Sequence, residues 1–297
     1  MPLKGKKPVK TKNPRIKFMI SGRAGVGKTF FSLDFPKPYF IDTEGGAIRD
    51  QYIEKLEKSG GAYLGKDNES SDFSVVLNEI KELVTTKHDY KTLIIDSFSH
   101  LYLTAASIAE EKNGSKYGSD KKEANRPSRQ LLLLLDKIDM NVVLICHAKD
   151  KWEKKQDKDN KSELTFAGTT FDGFEKFEYA LDFWMEIEKH GKSRTFTIKK
   201  SRIDTLPEGD VFSLDFSKLA NLYGKEAIEK ENEPVLFANK EQIERVEKLI
   251  DVLNVSLEKI EEWKNKLHIE SWEDATAEQI LKVLTPLEEK LQSLNQK

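Results

Sequence analysis

Residues 21–29 read Ser-Gly-Arg-Ala-Gly-Val-Gly-Lys-Thr, a full match to G-x-x-x-x-G-K-[ST]. No other stretch constrains the fold so tightly. The pattern needs a strand before it and a helix after it, and the run 16–20 (Ile-Lys-Phe-Met-Ile) supplies the strand. Glycines let successive backbone N–H groups turn inward and cradle phosphate oxygens. Lys28 is expected to reach the terminal phosphates and the Thr29 hydroxyl to ligate Mg²⁺. The positive N-terminal end of the following helix adds to the attraction for an anion. Gly22, Arg23, Ala24, Gly25, Val26, Gly27, Lys28, Thr29 and Phe30 are thus the expected nucleotide-binding residues, with ATP and Mg²⁺ as the ligands.

The rest of the chain must build a sheet around that loop. Strands are predicted over 16–20, 39–42, 92–96, 142–146, 181–188, 195–200 and 211–216, and helices near 73–84, 101–111 and 127–138. The first four strands are short and almost wholly apolar, as strands covered on both faces must be. Strands alternating with helices imply an α/β fold with a mainly parallel central sheet. The last strands lack long intervening helices, so an antiparallel or mixed extension is expected there. Two stretches read as long loops, 112–126 and 149–168. Loops of that length in a compact domain are usually functional or disordered.

The chain's 297 residues leave room for one domain of ordinary size and a smaller one. A net charge of −2, with 34% charged and 38% hydrophobic residues, fits a water-soluble chain with enough apolar side chains for a core. No apolar run approaches the length of about 18 needed to span a bilayer, so no membrane association is expected. The start of the chain is Lys-rich but lacks the apolar segment of a signal peptide. Cys146 is the single cysteine, which excludes an internal disulfide and a cysteine-based zinc site and fits a cytoplasmic location.

Residues 1–15 form a basic arm (Lys4, Lys6, Lys7, Lys10, Lys12, Arg15), expected to be flexible and to serve either as a solvated tail or as a contact for nucleic acid or a neighbouring subunit. The ATP-binding domain is expected over 16–222, and 223–238 reads as a linker. Beyond it, Ile243, Val246, Ile250 and Leu253 form one apolar stripe, and Ile280, Val283, Leu284, Leu287 and Leu291 another. Ile260, Trp263 and Leu267 lie on a helix between them, giving a small three-helix module over 239–297. Asn239 with Gln242, and Thr276 with Gln279, have the spacing of helix caps. The module has 9 Lys/Arg against 13 Asp/Glu, which argues against it as a phosphate-binding surface.

Three strand ends carry candidate chemistry. Leu93-Ile94-Ile95-Asp96-Ser97 ends in a carboxylate suited to holding Mg²⁺ together with Thr29. Phe40-Ile41-Asp42-Thr43-Glu44 brings two acids to the carboxyl end of a strand, where ligands of open α/β sheets sit. Spacing alone does not choose between Asp42 and Glu44 as the base that polarises water. Val142–Cys146 is followed by His147, which can hydrogen-bond a γ-phosphate and report its loss to the adjoining segment.

In that order, these segments resemble the RecA-type ATPase core and, more closely, the short RecA-like ATP-binding proteins of phages, which are associated with single-strand annealing and recombination. The resemblance covers residues 16–216. It implies Glu44 as the catalytic carboxylate and places His147 where the RecA family has a γ-phosphate-sensing glutamine. Imidazole also donates a hydrogen bond but adds pH dependence. Thr169-Thr170 and Phe177-Glu178-Tyr179-Ala180 look like the end of the second DNA-binding loop and the strand after it. Thr197-Ile198-Lys199-Lys200-Ser201-Arg202 looks like the segment whose two cations reach ATP in an adjoining subunit, which would make Lys200 and Arg202 trans-acting catalytic groups. An exposed strand edge with protective charges is the plainer reading of those cations. The long N-terminal polymerisation domain of bacterial RecA has no counterpart among these residues.

The function these features imply is ATP hydrolysis coupled to single-stranded DNA in recombination, annealing or strand exchange, by a homo-oligomer in ring or filament form. Lys149, Lys151, Lys154, Lys155, Thr169 and Thr170 are the expected DNA contacts, with Trp152 as a stacking face. Alternatives are a helicase- or loader-type motor of the same fold, and a nucleotide-dependent adaptor whose C-terminal module recruits a single-strand-binding or replication protein. A small-molecule kinase would need an acceptor pocket and a lid that nothing in the sequence specifies. Tyr52 is a candidate stacking face for adenine.

Overall fold

The computed structural model describes residues 14–46, 49–113, 123–156 and 162–295. The basic arm lies outside the described residues except for Pro14 and Arg15, as does most of the loop expected over 112–126. The first half runs β1 (Lys17–Ser21), α1 (Lys28–Ser32), β2 (Pro38–Asp42), α2 (Asp50–Lys58), β3 (Ala62–Leu64), α3 (Phe73–Thr85), β4 (Thr92–Asp96), α4 (Phe98–Asn113), α5 (Arg126–Lys137) and β5 (Asn141–Ile145). The second half runs β6 (Ala148–Gln156), β7 (Ser162–Phe171), α6 (Phe177–Ala180), β8 (Phe183–His190), β9 (Ser193–Ser201), β10 (Val211–Ser213), α7 (Phe216–Tyr223) and α8 (Lys225–Glu229). Three longer helices complete the chain: α9 (Lys240–Val252), α10 (Leu257–Leu267) and α11 (Ala277–Asn295).

Eight strands form one sheet in the order β10-β9-β8-β1-β5-β4-β2-β3. Strands β3, β2, β4, β5, β1 and β8 are parallel, and β9 turns back antiparallel to β8. The expected mainly parallel sheet is therefore present, and the last strands extend it with antiparallel pairing from β9 onward. Alternation along each central strand feeds two cores. Met19, Ile41, Leu93, Ile95 and Leu144 pack with α3, α4 and α5 on one face. Phe18, Ile20, Phe40, Ile94, Val143 and Ile145 pack with α1, α2, α7 and α8 on the other. Cover on both faces is why these strands read as unbroken apolar runs.

Because β1, β2, β4 and β5 are parallel, their carboxyl ends lie along one rim of the sheet, and the loops carrying Gly22–Lys28, Glu44, Ser97 and His147 all leave from it. Directly after His147 the chain forms a two-stranded antiparallel ribbon, β6 with β7, rather than the loop expected over 149–168. Both ribbon faces carry charged and polar residues, so no apolar alternation betrayed it.

The C-terminal helices gather around their own core, including Val246, Ile250, Trp272, Ile280, Val283 and Leu287. Both anticipated caps form: Gln242 N–H donates to Asn239 Oδ1 at 2.8 Å, and Thr276 N–H to Gln279 Oε1 at 2.8 Å. The stretch 223–238, which reads as a linker, is strapped to the sheet domain. Arg15 Nη1 donates to the Lys230 carbonyl at 2.6 Å, Asn141 Nδ2 to the Ile228 carbonyl at 2.8 Å, and Val235 N–H to the Val84 carbonyl at 2.8 Å.

Candidate nucleotide site

The phosphate loop closes over the rim between β1 and α1. Gly22 (φ 154°) and Gly27 (φ 104°) adopt backbone conformations that favour glycine. A Cβ at Gly22 would also stand 2.7 Å from the Ile187 carbonyl oxygen of β8. Beneath the loop is a cavity of about 390 Å³ lined by loop residues 22–25 and 27–29, by Asp42 and Glu44, by Asp96 and by His147. The groups expected to act on the phosphates from four separate segments thus meet in one space.

Thr29 Oγ1 donates to Asp96 Oδ2 at 2.5 Å. Burial raises the pKa of Asp96 to about 6 against the pull of Thr29 and Lys28. Such a carboxylate, paired directly with a neutral hydroxyl, is a fitting place for a cation. No cluster of three or more His, Cys, Asp or Glu side chains suited to a metal occurs among the described residues. A Mg²⁺ here would take its remaining ligands from phosphate and water, as that ion commonly does. Lys28 Nζ meanwhile donates to the carbonyls of Gly22 (2.8 Å) and Arg23 (3.0 Å), and burial lowers its pKa.

Glu44 and Asp42 have different surroundings. Asp42 Oδ1 accepts the backbone N–H of Glu44 at 3.1 Å and of Gly45 at 2.8 Å, and Oδ2 accepts from Tyr63 at 3.1 Å. Asp42 therefore fastens the turn after β2. Glu44 is half-exposed, and its Oε1 accepts from both His147 Nε2, at 2.8 Å, and the Ser97 hydroxyl. These donors, His147 first, hold Glu44 down at about 2, and Glu44 in return raises the pKa of His147. A clasp reinforces the arrangement: Thr43 Oγ1 donates to the Ser97 carbonyl at 2.9 Å and accepts the Ser97 N–H at 2.9 Å. Ser99 Oγ accepts the His147 N–H at 2.9 Å. Sequence reasoning gave Ser97 and Ser99 no role. The one signal was their position just after the acidic strand end.

The remaining expected site residues divide between the cavity and other places. Phe30 is exposed, with Lys55 Nζ 3.6 Å above its ring. Tyr52 lines the cavity. Lys200 Nζ donates to the Leu181 carbonyl at 2.6 Å, and Arg202 donates to the Tyr179 carbonyl. The β8–β9 register sets Lys200 beside Trp184 and Ser201 beside Phe183, at the end of the sheet away from the phosphate loop. Within one chain these two cations do not join the site.

On the ribbon, Lys149 pairs with Asp172 at 3.0 Å and Lys151 with Glu153 at 2.8 Å. Arg23 of the phosphate loop pairs with Asp150 at 2.9 Å. Thr169 Oγ1 donates to the buried Glu186 at 2.7 Å, so its side chain fastens the ribbon to β8 instead of facing outward. Thr170 lies opposite Lys149, and Lys155 opposite Glu163. The register puts Trp152 opposite Phe166 and Lys154 opposite Leu164, so these four share a face. The Trp152 and Phe166 rings meet edge-on at 5.8 Å, and both are more than half exposed.

A family model described as an AAA domain matches residues 14–212, from just before β1 into β10. The chain belongs to the AAA domain family. Its phosphate loop, acidic strand ends and mainly parallel sheet are those of a P-loop nucleotide-binding domain. No curated protein matches the chain. Among solved structures, this AAA domain protein is similar to the crystal structure of the RadB recombinase, with 18% identity and a TM-score of 0.42 over 68% of this chain and 87% of that one. It is also similar to flagellar accessory protein FlaH from Methanocaldococcus jannaschii, with 10% identity and a TM-score of 0.35 over 68% and 85%. No described helix of the AAA domain protein is long and apolar enough to cross a membrane.

Proposed function

We propose that the chain is a Mg²⁺-dependent ATPase that acts, as a homo-oligomer, on single-stranded DNA in annealing or strand exchange of the phage recombination type. The observation that carries this reading is the meeting of Lys28, Thr29, Asp96, Glu44 and His147 around one cavity, with the aromatic ribbon leaving directly from His147. When bound to Thr29 and Asp96, Mg²⁺ would supply charge neutralisation to the phosphates. Lys28 would leave the loop carbonyls for the phosphate oxygens. Glu44, anchored through Oε1, has Oε2 available to accept a proton from the attacking water. His147 would exchange its bond to Glu44 for one to the γ-phosphate, freeing the base only when nucleotide is present.

The ribbon is the proposed DNA contact. Trp152 and Phe166 offer π-faces to bases, and Lys154 on the same face offers charge to the backbone. Lys149, Lys151 and Lys155 would add to the phosphate attraction. Lys200 and Arg202 are proposed to act on a neighbouring subunit's ATP. Mixing Lys200→Ala or Arg202→Ala protein with excess Glu44→Gln protein would then rebuild complete sites and recover part of the turnover. The acidic C-terminal helices are proposed to recruit a replication or single-strand-binding protein.

Binding of a labelled oligonucleotide tests the DNA assignment. Affinity should be higher with ATP than with ADP and should fall steeply with salt. Replacing both Trp152 and Phe166 with Ala should weaken it by about tenfold or more. A nucleotide-independent, salt-insensitive affinity would favour the adaptor reading, and directional unwinding by a closed ring would favour the motor.

A further inference from the structure

The β8–β9 extension presses on the phosphate loop with both of its strands. On β8, the Ile187 carbonyl approaches Gly22 so closely that only glycine fits. On β9, Arg194 Nε donates to the Val26 carbonyl at 3.0 Å. The same side chain covers Gly27, where a Cβ would stand 3.2 Å from Arg194 Nε and 3.3 Å from Cδ. Arg194 is itself fixed at the backbone, since its carbonyl accepts the Leu214 N–H at 3.0 Å.

A trans peptide points its C=O and the following N–H in opposite directions. The Val26 carbonyl and the Gly27 N–H belong to one such peptide. Gly27 lines the cavity, and Arg194 sits on the carbonyl side of this peptide. Holding the carbonyl outward turns the Gly27 N–H inward. A cation on the carbonyl also polarises the peptide and strengthens the N–H as a donor.

We propose that Arg194 is a positioning residue for phosphate binding, holding the Val26–Gly27 peptide so that the Gly27 N–H faces the ligand. The inference rests on the nucleotide reading of the cavity. On this account the antiparallel extension serves the site, because β9 carries a support to the back of the loop. Arg194 bonds the back of the loop, so its removal acts through the geometry and polarity of one amide.

The test uses the full chain with Mg²⁺ and fluorescent ATP and ADP analogues. Arg194→Ala should weaken both by about tenfold, the scale of one charge-assisted hydrogen bond. KM for ATP should rise in step while kcat stays within about twofold, the pattern of lost uniform binding. The nucleotide-free variant should melt within about 2 °C of wild type, as expected for an exposed side chain. Arg194→Lys, which keeps the charge, should recover part of the affinity. Should Arg194→Ala fail to fold, Arg194→Met takes its place under the same criteria, keeping the stem over Gly27 but losing the donor. Wild-type affinity in the variant, or a loss matched by a lower melting temperature, overturns the proposal. A wild-type protein that binds neither analogue overturns the nucleotide reading as well, whereas wild-type binding with an unaffected variant overturns Arg194 alone.

Discussion

His147 Nε2 lies 2.8 Å from Glu44 Oε1, joining the ends of β5 and β2 across the cavity beneath the phosphate loop. The bond lowers one pKa and raises the other. Glu44 falls from 4.5 to about 2, and His147 rises above 6.5. A carboxylate held that low is a poor base, so the pair describes a resting state.

A pH dependence results. His147, raised by its partner, contributes stability that is complete below the ordinary histidine value and fades as pH climbs through the raised one. Glu44, lowered, contributes stability that is complete above 4.5 and is lost as pH falls toward about 2. Once His147 loses its proton, Glu44 regains basicity. The value of kcat/KM for ATP, which reports the nucleotide-free enzyme, should therefore show an ascending limb above pH 6.5, the ordinary histidine value. In His147→Gln that limb should vanish. Superimposable pH–rate profiles for the two proteins would refute the coupling.

Asp96 gives a second pH effect, opposite in sign to that of Glu44. Its pKa is raised from 3.8 to about 6, mainly by burial, so its charged form costs stability that grows as pH rises through about 6. Asp96→Asn keeps an acceptor for Thr29 and removes the charge. Without nucleotide it should be more stable than wild type at pH 7.5, by up to about 3 kcal/mol for a displacement of that size. Mg²⁺-dependent turnover should be lost. Thermal melts at pH 5 and 7.5 check this, and a variant less stable than wild type at pH 7.5 would contradict it.

Gly22→Ala should be damaging and Gly25→Ala mild by comparison. A Cβ at Gly22 meets the Ile187 backbone oxygen at 2.7 Å, whereas one at Gly25 meets nothing within 4 Å. The first carries a clash on top of backbone strain and should cost about 2 kcal/mol or more; the second carries only the strain of its positive φ, about 1 kcal/mol. Chemical denaturation of both proteins gives the comparison. Equal losses would mean that β8 does not constrain the loop as closely as its carbonyl suggests.

The sheet was largely readable because its physics is local. Two-sided burial leaves short apolar runs, and the phosphate loop fixes which run is β1. The site was readable where a strand end carries a charged residue: Glu44, Asp96 and His147 all lie within a few residues of an apolar run. Three features escaped. The ribbon β6–β7 is solvated on both sides, so Trp152, Leu164 and Phe166 look isolated until the register pairs them. Ser97 and Arg194 act on atoms 53 and 168 residues away, and nothing in their local sequence marks that. The strap at 223–238 looks polar, yet its carbonyls serve buried donors from Arg15 and Asn141.

The Arg23–Asp150 pair links the phosphate loop to the ribbon at 2.9 Å, with both side chains well exposed. Such a pair adds little stability. Its expected effect is on communication between the sites. Asp150→Ala should leave the melting temperature within about 2 °C of wild type. It should also narrow the difference in DNA affinity between the ATP and ADP states. An unchanged ratio of the two affinities would exclude the pair as a link.

The central claim is that ATP hydrolysis at this loop answers to single-stranded DNA. Steady-state ATP turnover, measured with and without a long single-stranded oligonucleotide, addresses it most directly. Wild-type protein should hydrolyse slowly alone and several-fold faster with the oligonucleotide. Lys28→Ala and Glu44→Gln should be inactive under both conditions, with Glu44→Gln still binding ATP. Turnover that ignores the oligonucleotide, or that survives in Lys28→Ala, would contradict the account.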